Sequence, residues 1–403
     1  MKEWLEELER WGADVIFGRA KGVRATLARF LMRGLSAVFR CLVAIRLALY
    51  RKGWKTEHYL GTQVISVGNL TVGGTGKTPV VELLAKTLRD RGRNVAILSR
   101  GYKSRKLDQP QAWRDSSGRR LPSAAMPKIV STGDAVLLDS KYAGDEPYML
   151  ARNLDGVSVV VDRNRVKGGR FAITQLNADT LVLDDGMQYL DLAHSMDLVL
   201  VDSTAPFGTG AMLPRGTLRE PPPHLCRASY IILTKCDGSS NQTLIDTIRR
   251  HNPVAGIVET THGPIHLENV FSGEREPLSF LQDKWVGAIS AIAVPQAFES
   301  SLTKLGAKVE IQRRFADHHR FSRRDVERFM QRCVERDMEL IVTTEKDAVR
   351  FPRPKTIDVP IYLLRIEVKI LSGQDVWDDI IDRIVEPKAV FESLIRHQEI
   401  YAA

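Results

Sequence analysis

The chain has 403 residues, of which 43% are hydrophobic and 27% charged; this length suits about two folded domains, and the composition excludes disordered and collagen-like proteins. Its four cysteines form no CxxC pair and have no histidines at zinc-finger spacing, which argues against a disulfide framework or structural zinc and favours a cytosolic protein.

The net charge of +9 comes from one segment, because residues 15–56 carry ten Lys or Arg and no acid. The near-neutral remainder argues against a nucleic-acid partner. The acidic first residues, MKEWLEELER, do not resemble a signal peptide.

Residues 24–51 have the periodicity of one amphipathic helix. Four arginines form one stripe and six aliphatic side chains lie opposite them: Arg29, Arg33, Arg40 and Arg51 against Leu31, Leu35, Val38, Leu42, Ile45 and Leu49. No charge-free run exceeds six residues, whereas a membrane-spanning helix needs about 18 apolar residues or more. Two interpretations fit this pattern equally: a helix lying in a membrane interface, or a helix packing its apolar face on the protein core.

From residue 63 onward, short apolar runs alternate with helical stretches, which predicts an α/β fold with a parallel sheet covered by helices on both faces. The predicted strands of the first part are residues 63–70, 95–101, 157–162, 180–185, 198–202 and 230–235, and residues 79–90 are predicted to be a helix. Three further strands, residues 285–290, 307–315 and 340–344, predict a smaller second α/β domain. Three prolines, Pro221 to Pro223, are expected to mark the exit from the first domain. The predicted organisation is a helical segment (1–60), a core domain (61–225), a smaller C-terminal α/β domain (226–386) and a tail (387–403).

The sequence GNLTVGGTGKTP, residues 68–79, predicts a phosphate-binding P-loop and therefore a P-loop NTPase-like core domain. Glycines after a strand let backbone N–H groups converge, and the N-terminus of the following helix adds to this phosphate cradle. Lys77 is expected to reach the outer phosphates of ATP, and the Thr78 hydroxyl to bind Mg²⁺. Thr71 stands where the strict pattern has glycine, but the strand–loop–helix context supports the motif. The predicted nucleotide-binding residues are Thr71, Val72, Gly73, Gly74, Thr75, Gly76, Lys77 and Thr78.

Three further motifs follow predicted strands. Asp184 and Asp185 end a strand, where open α/β sheets place their ligands, and could complete a magnesium shell; a strand-end aspartate can also be only a helix cap. TKCD, residues 234–237, resembles the guanine-reading signature of P-loop GTPases, but Thr234 replaces the usual Asn and we do not expect guanine specificity. TTEKD, residues 343–347, is equally compatible with a structural and a functional role.

Two motifs could act on the proton of an attacking hydroxyl group. Asp145 lies in AGDEPYMLA just before Pro147 at a predicted helix start, so it fits both a helix N-cap and a general base. In DHHRFS, residues 317–322, the adjacent histidines point apart and will not bind one metal together. One of them orienting a carboxylate is the better interpretation.

Together these motifs resemble the tetraacyldisaccharide 4′-kinase family of lipid A biosynthesis. The matching segments occur in the family's order between about residues 20 and 370: VGNLTVGGTGKTP, ILSRGY, GDEP, LDDGMQ, LPRGTLREP, ADHH and VTTEKDAV. Met187 and Tyr189 stand where the family commonly has Phe and His. The residues beyond about Pro387 match nothing in the family.

The resemblance implies ATP-dependent transfer of the γ-phosphate to the 4′-hydroxyl of a lipid A disaccharide 1-phosphate. It also implies two α/β/α domains with the nucleotide between them, and an N-terminal helix seated on the cytoplasmic face of the bacterial inner membrane. That location favours the membrane interpretation of residues 24–51, because basic side chains are attracted to anionic headgroups. The competing class is a P-loop GTPase or ATPase switch, or a metal-insertion protein, without a lipid acceptor.

The resemblance also implies roles for individual residues. Asp145 and His318 would form the catalytic pair, with Lys77 on the phosphates. Magnesium and nucleotide roles would fall on Thr78, Asp184 and Asp185, with Gln188 and Glu220 as further candidates. Because Asp145 and His318 belong to different predicted domains, the pair could form only across the cleft between them.

Overall fold

The computed structural model describes residues 11–109, 111–114, 119 and 126–386, so the acidic start and the predicted tail lie outside the described residues. Residues 11–16 are helical. The first half then contains α1 (Val23–Arg51), β1 (Gln63–Asn69), α2 (Lys77–Asp90), β2 (Val95–Ser99), β3 (Lys128–Thr132), α3 (Ser140–Ala143), α4 (Asp145–Asn153), β4 (Ser158–Val161), α5 (Arg165–Leu176), β5 (Thr180–Asp184), β6 (Met196–Asp202), a 3₁₀ helix (Pro222–Arg227) and β7 (Tyr230–Thr234). The second half contains α6 (Gln242–Arg249), β8 (Gly256–Asn269), β9 (Arg275–Glu276), a 3₁₀ helix (Leu278–Leu281), β10 (Trp285–Ser290), α7 (Pro295–Lys304), β11 (Lys308–Arg314), α8 (Arg323–Val334), β12 (Leu340–Thr344), α9 (Glu345–Ala348), β13 (Ile361–Ser372) and α10 (Gln374–Val385).

The strands form one 13-stranded sheet in the order β11-β10-β12-β13-β8-β7-β6-β1-β5-β2-β4-β3, with β9 paired to β8. Most neighbours are parallel, and β1 lies between β5 and β6 at the centre of the first half. The antiparallel pairs are β3 with β4, β8 with β13 and β8 with β9. The predicted α/β class with a mainly parallel sheet, and each of the nine predicted strands, are therefore confirmed.

Two long strands that sequence reasoning did not find connect the halves. β8 is parallel to β7 of the first half, β13 is parallel to β12 of the second, and the two pair antiparallel over most of their lengths. β8 was missed because Gly263 and Pro264 interrupt it and most of its side chains are only partly buried. The sheet continues past residue 225, because β7 pairs with β6. The division into two domains remains a prediction.

A close-packed core holds the start of α2 in place. Every residue of β1 is buried, as expected for a strand covered on both faces. α2 begins two residues earlier than predicted and buries Val80, Val81, Leu84 and Leu88 at helical spacing against the sheet. Close packing resists movement of α2, so the loop that precedes α2 ends at a fixed position.

The long helix α1 contacts the remaining protein through a narrow seam. The Ser36 hydroxyl donates to the carbonyl oxygen of Met212 at 2.8 Å, and Phe39 and Val43 pack on the core behind it. The predicted apolar face points elsewhere, and five of its members are each more than half exposed: Leu31, Leu35, Val38, Leu42 and Ile45. Packing of this face on the core, one of the two interpretations, is therefore wrong. No helix within the described residues is long and apolar enough to cross a membrane.

Candidate active site

The glycine-rich loop connects β1 to α2 as predicted, since β1 ends at Asn69 and α2 begins at Lys77. Gly73 (φ 121°) and Gly76 (φ 78°) have backbone conformations that side chains rarely adopt. α2 has no side-chain cap at its N-terminus, so its first N–H groups remain available to an anion. The loop therefore has the backbone geometry that a phosphate cradle requires.

Lys77 lies in a network of charges at the end of β1. Its Nζ donates to Oδ1 of Asn69 at 3.0 Å and lies 3.5 Å from Oδ1 of Asp185. Arg219 donates to both carboxylate oxygens of Asp185, at 2.8 and 2.9 Å, and also bonds Asn69. Burial alone would raise the pKa of Asp185, but the hydrogen bonds from Arg219 and the charge of Lys77 lower that pKa to about 2. Asp185 is thus held ionised beside the P-loop lysine.

Asp184, the other strand-end acid, is in a different electrostatic state. Its side chain is only 5% exposed, and it accepts a hydrogen bond from the Ser99 hydroxyl at 3.2 Å. Burial, followed by the negative charges of Glu146 and Asp185, raises the pKa of Asp184 to about 7. A cation that arrived between these carboxylates would relieve their mutual repulsion.

The segment LPRGTLREP, residues 213–221, lies beside the entrance to the P-loop. The amide of Val72 donates to the carbonyl oxygen of Thr217 at 2.8 Å, and the amide of Arg219 donates to that of Leu70 at 2.7 Å. Sequence reasoning assigned no role to Arg219 or Asn69. The only available signal for Arg219 was its place in a family motif.

Glu220, named as a metal candidate, is 3% exposed and already bonded on both oxygens. Arg227 donates to both of them at 2.9 and 2.8 Å, His224 Nδ1 lies 2.7 Å from one, and Gln188 donates to the other at 3.0 Å. Burial would raise the pKa of Glu220, but the hydrogen bond with His224 and the charge of Arg227 lower it. Gln188 also donates to the carbonyl oxygen of Asn69 at 3.1 Å. Glu220 and Gln188 therefore support the end of β1 through hydrogen bonds.

The TKCD motif lies behind the P-loop. The Thr234 hydroxyl donates to the carbonyl oxygen of Thr75 at 2.8 Å, and Lys235 Nζ donates to that of Gly74 at 2.7 Å. Asp237, the residue that would read a base in GTPases, accepts instead from the amide and hydroxyl of Ser239. Thr234 and Lys235 thus hold two consecutive carbonyl groups of the loop.

Asp145 and His318 are in direct contact, although they are far apart in the chain. His318 Nδ1 lies 3.1 Å from Oδ2 of Asp145, which is 8% exposed at the start of α4. The predicted contact between the two halves is confirmed. His318 has a left-handed backbone (φ 62°), which is uncommon for a residue with a side chain and concentrates at functional sites.

Two basic side chains of the second half flank this pair. Lys346 Nζ lies 3.3 Å from Nε2 of His318 and 3.7 Å from Oε1 of Glu146. Arg350 Nε lies 3.7 Å from the same oxygen of Asp145 that faces His318. Burial would raise the pKa of Asp145, but the hydrogen bond with His318 and the charge of Arg350 lower it. Oδ1 of Asp145 is buried and has no hydrogen-bond partner among the described residues.

Two neighbouring residues of TTEKD have different surroundings. Lys346 contacts the catalytic candidates, whereas Asp347 accepts from the Ala291 amide at 2.9 Å and from the Thr344 hydroxyl at 2.8 Å and pairs with Arg350. Sequence reasoning left this motif undecided. Arg350, three residues beyond it, and Arg165, which the structure buries beside Tyr189 near the aspartates, gave no recognisable pattern.

Known proteins with similar sequence and structure are tetraacyldisaccharide 4′-kinases. A family model described as tetraacyldisaccharide-1-P 4′-kinase (LpxK) matches residues 28–386. A tetraacyldisaccharide 4′-kinase from Anaeromyxobacter dehalogenans is 36% identical over 372 residues, which cover 91% of this chain and 94% of that protein. One from Halothermothrix orenii is 33% identical, with coverage of 92% and 96%. A crystal structure of LpxK from Aquifex aeolicus in complex with ATP superimposes with a TM-score of 0.68 at 28% identity, covering 89% of this chain and all of that one.

Proposed function

The chain belongs to the tetraacyldisaccharide-1-phosphate 4′-kinase family, and we propose that it transfers the γ-phosphate of ATP to the 4′-hydroxyl of a tetraacyldisaccharide 1-phosphate. The observation that carries this proposal is that Glu146 links the two regions, since it lies 3.7 Å from Lys346 beside the pair and its charge acts on Asp184. Glu146 follows Asp145 in the chain, and its charge acts on Asp184 beside Lys77. A hydroxyl group placed between the two regions would have a proton acceptor on one side and the terminal phosphate on the other.

The P-loop half of the site would bind the triphosphate of ATP. Backbone N–H groups of the loop and of the first turn of α2 suit the phosphate oxygens, and the Lys77 ammonium would compensate the charge that develops on transfer. Lys77 already bonds Asn69 and faces Asp185, so its position is set before the nucleotide arrives. Such preorganisation lowers the cost of ordering the site.

The residues fit a magnesium ion that is shared with ATP. Within the described ranges, no group of three or more His, Cys, Asp or Glu side chains is arranged to hold a metal by itself. Mg²⁺ commonly takes one or two carboxylates and completes its shell with phosphate oxygens and water. We assign Asp184 and the Thr78 hydroxyl as its protein ligands, with Asp185 more tightly committed to Arg219. When bound, the ion would neutralise charge on the phosphates.

The proton acceptor is assigned to the imidazole of His318. The pKa of Asp145 is lowered, so its carboxylate stays ionised and is itself a weak base. The carboxylate binds Nδ1 and would hold the ring with Nε2 free to accept the hydroxyl proton. Lys346 would release Nε2 as the acceptor binds, since Glu146 offers it a second partner. This route uses both members of the pair for one proton transfer.

We also propose that α1 seats the enzyme on the cytoplasmic face of a bacterial inner membrane. Its exposed aliphatic face, widened by Leu27 and Phe30, is larger than scattered surface residues would produce. The segment also carries arginines, which suit anionic headgroups. An acceptor with four acyl chains would remain in the bilayer, so the enzyme must reach it there.

The membrane proposal can be tested without disturbing the seam under α1. Leu31→Glu with Leu35→Glu places two acids on the exposed face, whereas Val254→Glu, at an 87% exposed site elsewhere, is the matched control. We expect the double variant to lose co-sedimentation with phosphatidylglycerol vesicles and the control to keep it. Equal sedimentation of both variants would contradict the proposal.

Transfer itself can be measured with ATP labelled in the γ-phosphate and a tetraacyldisaccharide 1-phosphate in mixed micelles. The proposed function predicts a labelled lipid product that depends on magnesium. Release of inorganic phosphate at the same rate with and without the lipid would instead indicate a nucleotide-hydrolysing switch.

A further inference from the structure

Within the part of the chain that the structure describes, one buried cation near the site has no counter-ion. Arg165, the first residue of α5, is 6% exposed. Its Nε has no hydrogen-bond partner, and no carboxylate within the described residues lies in ion-pair distance of its guanidinium. The guanidinium carbon (Cζ) instead lies over the Tyr189 ring, 4.7 Å from the ring centre. A buried charge left in this state costs free energy unless another group compensates it.

The charges of the described residues do not supply that compensation. Burial lowers the pKa of Arg165. Tyr189 and then the charges of Asp185 and Asp184 oppose this without ion-pair contact, and the positive charge of Arg100 lowers the pKa of Arg165 further. Asp185 is already committed to Arg219 and Lys77. The environment of Arg165 is therefore short of negative charge at a position that borders the phosphate-transfer site.

We propose that Arg165, assisted by the exposed Arg100, forms an anion site that receives a phosphoryl group during the reaction. This inference rests on the proposed function, which offers two phosphoryl groups of suitable chemistry: the γ-phosphoryl group of ATP and the 1-phosphate of the acceptor. A guanidinium presents several donors in one plane and suits phosphate oxygens. The contact with the Tyr189 ring positions the guanidinium before the anion arrives.

The test compares Arg165→Met and Arg165→Lys with Arg163→Met, an exposed arginine of the same loop, as the matched control. Without ligands, Arg165→Met should unfold at the same temperature as wild type or higher, because it removes an uncompensated buried charge. Its kcat/KM should fall about 100-fold, as when one donor to a reacting anion is removed. Arg165→Lys should recover part of that loss, and the control should behave as wild type. A residue that served only the fold would show the opposite pattern, with lower stability.

Two further measurements identify the source of the phosphoryl group. If Arg165 contacts the γ-phosphoryl group, Arg165→Met should lower kcat with acceptors that have or lack the 1-phosphate, and ATP should raise its unfolding temperature less than it does for wild type. If Arg165 contacts the 1-phosphate, only the KM of the phosphorylated acceptor should rise.

The proposal is overturned if Arg165→Met unfolds at a lower temperature than wild type without ligands, or if its kinetic constants for both acceptors stay within twofold of wild type. Absence of lipid phosphorylation by the wild-type protein would refute the proposed function instead. The ligand-free unfolding temperatures and the stabilisation by ATP would still decide the fate of the anion site.

Discussion

The phosphate-binding edge and the Asp145–His318 pair are built in different ways. Asn69 ends β1, Asp185 follows β5 and Lys77 begins α2, all in the first half of the chain. Arg219 and Gln188, from the same half, form hydrogen bonds with this group. The pair, in contrast, joins the start of α4 to the segment after β11, and Lys346 and Arg350 reach it from α9 and the residues just after it. The polar network around Lys77 is formed by residues of one half, whereas the Asp145–His318 pair exists only where the halves meet.

This difference separates nucleotide binding from proton transfer. The P-loop is held by hydrogen bonds within the first half, because two of its carbonyl groups accept from Thr234 and Lys235 at the end of β7 and its lysine donates to Asn69 of β1. The base depends on the positions of both halves. We therefore expect changes at the P-loop to affect ATP binding and transfer together, and changes at the pair to affect transfer while ATP still binds.

The largest effect is expected at Lys77. Lys77→Ala removes the ammonium group that would stabilise the transferring phosphate, and transfer should fall by at least about 100-fold with the fold intact. Lys86→Ala, an exposed position on the same helix, is the matched control and should keep wild-type activity. Near-normal turnover of Lys77→Ala at saturating ATP would contradict the role of the loop.

A substitution at Glu220 tests whether the hydrogen bonds that support the phosphate-binding edge have only a structural role. Glu220→Ala removes the buried carboxylate that pairs with Arg227, and the free energy of unfolding should fall by about 3–5 kcal/mol. Activity at a permissive temperature should fall less than in Lys77→Ala, because Glu220 acts through Gln188 on Asn69. A normal unfolding curve combined with a requirement for more magnesium would favour the metal role that the family resemblance allows.

The smallest effect is expected behind the loop. Thr234→Val removes the donor to the carbonyl oxygen of Thr75 without changing the size of the side chain. Leaving that carbonyl unpaired should raise the KM for ATP about tenfold, and Thr234→Ser should restore it. A change in the preference for ATP over GTP, rather than a common rise in KM, would show that TKCD reads the base instead.

Much of the phosphate edge was predictable from sequence because its residues follow a strand and open a helix. The spacing of the glycines predicted the P-loop. Asp184 and Asp185 were predicted because open α/β sheets bind ligands at the carboxyl ends of their strands. Arg219 and Asn69 were not predictable, since their roles depend on side-chain hydrogen bonds to residues that are near only in the folded state.

The second region shows where local patterns stop being informative. The family resemblance predicted that Asp145 meets His318, but nothing in either motif predicted Lys346 or Arg350 beside them. The strands that connect the halves, β8 and β13, were missed because many of their residues are only partly buried or exposed, and Gly263 and Pro264 also interrupt β8. The membrane and core interpretations of α1 predicted the same amphipathic helix and differed only in what covers its apolar face. The periodicity of the sequence contains no information on that point.

The central claim, that one base is assembled from both halves, is tested most directly by a double-mutant cycle on Asp145 and His318. Transfer and ATP affinity would be measured for Asp145→Ala, His318→Ala and the double variant. Residues that act as a unit are non-additive, so the three variants should lose similar activity, about 100-fold or more, with ATP affinity little changed. If the losses multiply in the double variant, Asp145 and His318 act independently and the account of the base is contradicted.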